Sequence, residues 1–163
     1  MTSERTVIHD TFTIERTYPA TPSRVYAAFA SEEAKDAWGD TGDMEQPSGQ
    51  AGESEFDFRV GGRERFGHIW QGTTYRYEGR YFDIVPDRRI VYAYEMYAED
   101  VRISVSVATI EFVETGDGTR LLWTEQGAYL DGFDGPEAPK LRQGGTEEML
   151  DGLTGYLAAR AEN

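Results

Sequence analysis

Apolar and polar positions alternate through most of the middle of this chain, and the alternation sorts into strands. Residues 11–18 put Phe12, Ile14 and Tyr18 on one face and Thr11, Thr13, Glu15 and Thr17 on the other, as a half-buried strand requires. The period then changes. Thr21 reads as an N-cap with Pro22 in the first helical position, and Val25, Tyr26 and Phe29 follow at helical spacing, so a short helix ends near Ala30. Ser31 caps a second short helix, with Glu32 and Glu33 where the helix dipole favours acidic groups, running to about Trp38. Residues 39–54 mix Gly, Asp, Ser and Gln without any period and are predicted to be a loop.

Strands resume at Glu55. Phe56 and Phe58 alternate with acidic residues, Gly61 and Gly62 turn the chain, and 63–70 and 75–85 form a hairpin about a turn at 71–73. On that hairpin Arg63, Arg65, Arg76, Glu78 and Arg80 share the solvated outer face. The next strand has Ile90, Tyr92, Tyr94 and Met96 on one face. In 101–114 the apolar parity changes, with Val101, Ile103, Val105 and Val107 odd but Ile110 and Phe112 even. Either a bulge re-registers the strand or both faces are covered, and partial cover of the outer face is the expectation. The last strand, 120–127, carries Leu121, Trp123 and Glu125 on one side. A loop over 128–139 precedes a long helix that begins between Lys140 and Thr146 and presents Met149, Leu150, Leu153, Tyr156 and Leu157 as one stripe. The fold class is α+β: a curved antiparallel sheet wrapped around a long C-terminal helix, a helix-grip fold, with two short helices after the first strand.

The face that should meet the helix is rich in aromatic rings. Tyr and Trp carry a polar tip on an apolar body, and a dry core would favour Leu, Ile and Val, so the pattern suits a ligand cavity. The other reading is an ordinary core in which each buried hydroxyl finds a partner. Trp38, Phe66, Tyr77, Tyr92, Tyr94 and Trp123 are the wall residues on the cavity reading, with Met149, Leu153 and Tyr156 covering them from the helix.

Two polar features bear on chemistry. His68 shares the inner face with Phe66, and Glu125 lies inward on the last strand, so the two could form an acid/base pair or be a satisfied wall residue and a separately paired carboxylate. Arg102, with Ser104 and Ser106 on its face, either reaches inward to anchor a carboxylate or phosphate head or makes a surface ion pair. No residue is assigned as catalytic.

Composition narrows the partners. With 163 residues, the chain is expected to be one domain over 1–163 with a flexible tail over 1–10. A formal charge of −14 opposes nucleic acid. There is no cysteine, no apolar stretch of membrane-spanning length and no apolar signal segment at the start, so a cytoplasmic protein with no membrane partner is expected. No nucleotide-binding loop, nucleophile elbow or zinc-binding helix motif occurs, and Asp131, Asp134 and Glu137 have no EF-hand spacing, so neither cofactor nor metal is expected.

Several short motifs together carry a resemblance. Ile14–Glu15–Arg16 followed by Pro22, Val25, Tyr26, Ala28 and Trp38, then 57–63 (DFRVGGR), 85–92 (VPDRRIVY) and 150–157 (LDGLTGYL), resemble the family related to the activator of the 90-kDa heat shock protein ATPase, within the START-like (SRPBCC) superfamily. The sequence departs from that pattern at Gly39–Asp40 and Gly145–Thr146, the second of which would reshape one end of a cavity. The resemblance implies the helix-grip fold and a pocket for a small apolar or aromatic molecule. A cyclase- or lyase-type enzyme using the same pocket is one alternative. An interaction module of co-chaperone type is another, with the odd valines of 101–107 forming a homodimer or client surface.

Overall fold

The computed structural model describes residues 5–39, 47 and 53–160. Seven antiparallel strands form one sheet in the order β1-β7-β6-β5-β4-β3-β2: β1 Val7–Tyr18, β2 Glu55–Phe56, β3 Arg63–Trp70, β4 Thr73–Val85, β5 Arg89–Ala98, β6 Val101–Thr115 and β7 Gly118–Leu130. Between β1 and β2 lie α1 (Pro22–Phe29) and α2 (Glu32–Gly39), and α3 (Ala138–Ala159) closes the chain. The caps are those the sequence predicts: Thr21 Oγ1 accepts from the Arg24 N–H and Ser31 Oγ from the Ala34 N–H, both at 3.3 Å.

The sheet grips α3 by its middle. Tyr18 donates to the Leu150 carbonyl at 3.4 Å and Arg16 reaches Asp151 at 2.9 Å, while Leu150, Leu153 and Leu157 enter a core with Val25, Phe29, Ile110, Leu121 and Trp123. At Gly152 the helix backbone passes so close to α2 that any Cβ would collide with the Trp38 carbonyl oxygen.

Four boundaries differ from the sequence expectation. The first strand begins at Val7, paired with Leu130, and the Thr6 N–H is held by Asp131 at 3.1 Å, so residues 7–10 belong to the sheet and not to a tail. For the same reason β7 runs on to Leu130: each strand supplies the other's partner, a long-range effect that local composition does not carry. The last helix starts at Ala138 because Pro139 sits in its first turn, where a missing N–H costs nothing. β2 is only two residues long; Phe58 lies in the bend that Gly61 and Gly62 close, with Gly61 at φ 86° and Gly62 against the Asp57 carbonyl. The expected loop over 39–54 falls mostly outside the described residues.

β6 carries a bulge, but from Ser104 onward its register is unbroken with the even positions inward, so the apolar parity changes after Val107 because Val105 and Val107 lie on the outer face. Met96 pairs with Ser104 and Tyr97 with Arg102, so Ile103 is the extra residue and the strand face flips there. The expected cover of the outer face is not found, since Val101, Val105 and Val107 are all exposed. No helix among the described residues is long and apolar enough to cross a membrane, and no cluster of metal-binding side chains occurs among them.

Candidate functional site

Small side chains on the inner face make room for a charged one. Ser104 and Ser106 on β6 and Gly127 on β7 are neighbours there, Gly127 directly opposite Ser106, and they leave a slot that the Arg142 side chain of α3 enters. Its guanidinium donates to Ser104 Oγ at 2.8 Å and to the Tyr94 hydroxyl at 2.9 Å, between the Tyr94 and Tyr129 rings, each 5.4 Å away. The Tyr94 hydroxyl, its lone pair taken by Arg142, donates its proton to Glu125 Oε2 at 2.8 Å. Trp123 Nε1 donates to Glu125 Oε1 at 3.3 Å, and the Arg142 guanidinium is 3.9 Å from the carboxylate, which is 1% exposed.

Burial pushes the Glu125 carboxyl above its ordinary value, opposed by the Tyr94 hydrogen bond, Arg142 and Trp123. Burial works against the Arg142 charge, but Tyr94, Glu125 and Tyr129 outweigh it and raise its pKa. Burial also pushes the Tyr129 hydroxyl up to about 12. A neutral phenol, a charged guanidinium and a buried carboxylate are therefore locked in one chain of hydrogen bonds with fixed donor direction.

A second buried carboxylate lies near the other end of the same face. Glu64 on β3 accepts from Lys35 of α2 at 2.6 and 2.8 Å and from the Tyr81 hydroxyl at 2.8 Å, beside Phe56 and Phe58. Burial and the adjoining Glu64 charge push the Tyr81 hydroxyl well above its ordinary value.

Between the two clusters stand Tyr77 and Tyr92, both half-buried. Their hydroxyls donate to none of the described residues, in contrast to Tyr81 and Tyr94. Burial holds both phenols far above the usual 10, helped at Tyr77 by Tyr92 and Glu64 and at Tyr92 by Glu125, Tyr94 and Glu64, so they stay protonated donors. Rings continue outward from them. Tyr94, Tyr77 and Phe66 form a stack with centroids 4.8 and 4.7 Å apart, and its outer ring, Phe66, is 38% exposed. Beyond it His68 stacks on Tyr75 at 5.3 Å. The His68 Nδ1 is buried without a partner among the described residues, and burial lowers the imidazole pKa below 6.5.

Of the residues singled out from the sequence, the structure brings together Tyr77, Tyr92, Tyr94, Trp123 and Glu125, with Phe66 and His68 in line at the outer end. It separates the others. His68 and Glu125 lie four strands apart, about 19 Å at the usual strand spacing, so they form no acid/base pair. Arg102 points outward, because the bulge at Ile103 flips it away from Ser104 and Ser106; it pairs with Glu95 at 2.8 Å and bonds Tyr97. Trp38 is a structural tie, its Nε1 donating to the Ala28 carbonyl at 2.8 Å and its ring edge-on to Phe29. Leu153 is core, and Met149 and Tyr156 pack at its margin. Behind Tyr92 and Trp123, whose rings meet edge to face at 6.3 Å, the space toward α3 is packed with leucine.

Sequence reasoning did not find Arg142, Lys35, Glu64 or Tyr81 as site residues. For Arg142 a signal exists: counted back from Leu157, the buried stripe Leu153, Leu150, Thr146 arrives at 142, a charged residue on an apolar face.

The family described as Activator of Hsp90 ATPase homolog 1-like protein matches residues 19–158. The Mll3558 protein from Rhizobium loti is 43% identical over 93% of this chain and 99% of its own, with a TM-score of 0.80. A putative uncharacterized protein from Rhizobium leguminosarum is 38% identical over 96% of this chain and 99% of its own, with a TM-score of 0.84. Protein CV1439 from Chromobacterium violaceum is 26% identical over 89% and 95%, with a TM-score of 0.67. None of the curated proteins matches.

Proposed function

The chain belongs to the family of Activator of Hsp90 ATPase homolog 1-like proteins, and from that premise we propose that it binds a small neutral molecule with an aromatic or apolar body on the inner face of the sheet. The observation that carries the reading is the pair of uncommitted hydroxyls on Tyr77 and Tyr92, set between Tyr81 and Tyr94, whose hydroxyls are engaged by Glu64 and Glu125. A ligand that accepts from them and lays a ring along the Phe66–Tyr77–Tyr94 stack gains hydrogen bonds without displacing a protein partner. A charged ligand is disfavoured, because Glu64 already has Lys35 and Glu125 already has Arg142. The ion-paired clusters fix the rings and the ligand supplies the missing acceptor.

The test is a thermal-shift screen of neutral aromatic compounds, followed by titration of the hits into Tyr77→Phe and Tyr92→Phe variants. Each variant should keep the wild-type Tm, since the lost hydroxyl holds nothing in the protein, and should weaken binding by about 1 kcal/mol, or about fivefold. Hits that bind both variants as tightly as the wild type would sink the proposal. Native mass spectrometry of the purified protein separates this reading from an interaction module: a small mass adduct supports it, and a dimer without an adduct supports the alternative.

A further inference from the structure

On the opposite face of the sheet, two arginines stand directly across from each other. Arg63 on β3 pairs in register with Arg80 on β4, and both are exposed. Neither guanidinium has an ion pair or hydrogen bond with a described residue. Elsewhere on the sheet Arg65, Arg76, Arg89, Arg102 and Arg120 each meet a carboxylate. Like charges directly opposite on one face of a hairpin are unfavourable, and in a chain with 30 acidic residues a carboxylate could have stood at either position.

The pair borders a groove of about 380 Å³ whose apolar surface is Phe82, Ala93 and Val105. Phe82 is 58% exposed and Val105 is 40% exposed, so the groove sets two unpaired guanidiniums beside an open apolar surface. Three of its four carboxylates are held by other groups, Glu64 by Lys35, Glu78 by Arg76 at 3.0 Å and Glu95 by Arg102 at 2.8 Å, and the fourth, Glu55, stands in register opposite Arg65 at the far side from Arg80.

We propose that this outer groove is a binding site for an organic oxyanion, a phosphate or carboxylate on an aryl or alkyl body, with Arg63 and Arg80 clamping the anion and Phe82 meeting the body. Two planar guanidiniums side by side match the oxygen atoms of such a group, and each can engage it through two N–H donors. The chain's net charge of −14 works against casual anion binding, so an anion is held only where bare guanidiniums such as these stand together. The site opens on the outer face, borders the inner one only at the Glu64 and Tyr94 positions, and does not depend on the function proposed for that face.

The experiment titrates phenyl phosphate, benzoate and inorganic phosphate at fixed ionic strength, following the arginine Nε–H signals by NMR. Saturable binding of phenyl phosphate, tighter than inorganic phosphate, is expected; comparison with benzoate tells which oxyanion is preferred. Arg63→Ala and Arg80→Ala should each weaken binding about tenfold or more, and Phe82→Ala should abolish the advantage of phenyl phosphate over inorganic phosphate. Arg63→Glu should lose binding while its Tm stays level or rises, because it turns a repulsive pair into an attractive one. Non-saturable shifts, or affinity unchanged in both alanine variants, would overturn the site. So would an Arg63→Glu variant that unfolds at a lower temperature, since Arg63 would then serve the fold.

Discussion

Among single residues, Arg142 is where burial and charge are most tightly coupled. It is the cation that meets the fully buried Glu125, and removing one partner of a buried pair leaves an uncompensated charge. Arg142→Met should therefore cost about 3–5 kcal/mol at neutral pH. The loss should depend on pH in a defined sense. Glu125 has a folded-state pKa raised above 4.5, so its contribution is fully favourable below that value and is lost as pH rises through the folded pKa. Arg142 is one of the groups holding that pKa down, so the methionine variant raises it further and widens the window. Urea unfolding at a series of pH values from 4 upward should show the gap between wild type and variant growing with pH. A constant gap would mean that the guanidinium acts by packing alone. The same residue shows why the site was only half legible: alternation identifies which strand residues face inward, but a lone arginine on a helix stripe gains its meaning only when Ser104, Ser106 and Gly127 are seen to leave a slot for it.

For the elements, the glycines of α3 divide by what surrounds them. A Cβ at Gly152 would strike the Trp38 carbonyl, and α2 cannot withdraw without pulling the Trp38 indole from Ala28, so Gly152→Ala should destabilise by about 1–3 kcal/mol. Gly144 and Gly145 lie in the same helix, and at neither would a Cβ have a neighbour within 4 Å. There alanine should stabilise by about 1 kcal/mol per site through helix propensity. Thermal melts of the three variants test the pair of signs, and a loss of Tm at Gly144 or Gly145 would contradict it. Element type was largely readable from the sequence. The strands of the hairpin, the two capped helices and the apolar stripe of α3 all follow from local periodicity and capping chemistry. What local pattern could not supply was tertiary: the mutual extension of β1 and β7, and the bulge at Ile103 that turned Arg102 outward.

Across the whole molecule the electrostatics pull in two directions, and their balance can be measured. Fourteen net negative charges on a chain of this size repel one another in the compact state, and screening relieves that repulsion. Against this stand the ion pairs of the sheet, such as Arg89 with Asp83 and Arg120 with Glu15, which are exposed and weaken in salt. Exposed pairs contribute little each, and the two buried pairs, Lys35 with Glu64 and Arg142 with Glu125, are screened far less than surface charges. The repulsive part should therefore dominate the salt response. Raising sodium chloride from about 20 to about 300 mM, across which the Debye length shrinks from well above to below 10 Å, should raise stability by about 1 kcal/mol, or roughly 3 °C in Tm. The increase should fade as pH approaches the isoelectric point near 4.5, where the net charge disappears. A Tm that falls with salt at neutral pH would mean that the surface ion-pair network outweighs the acidic excess.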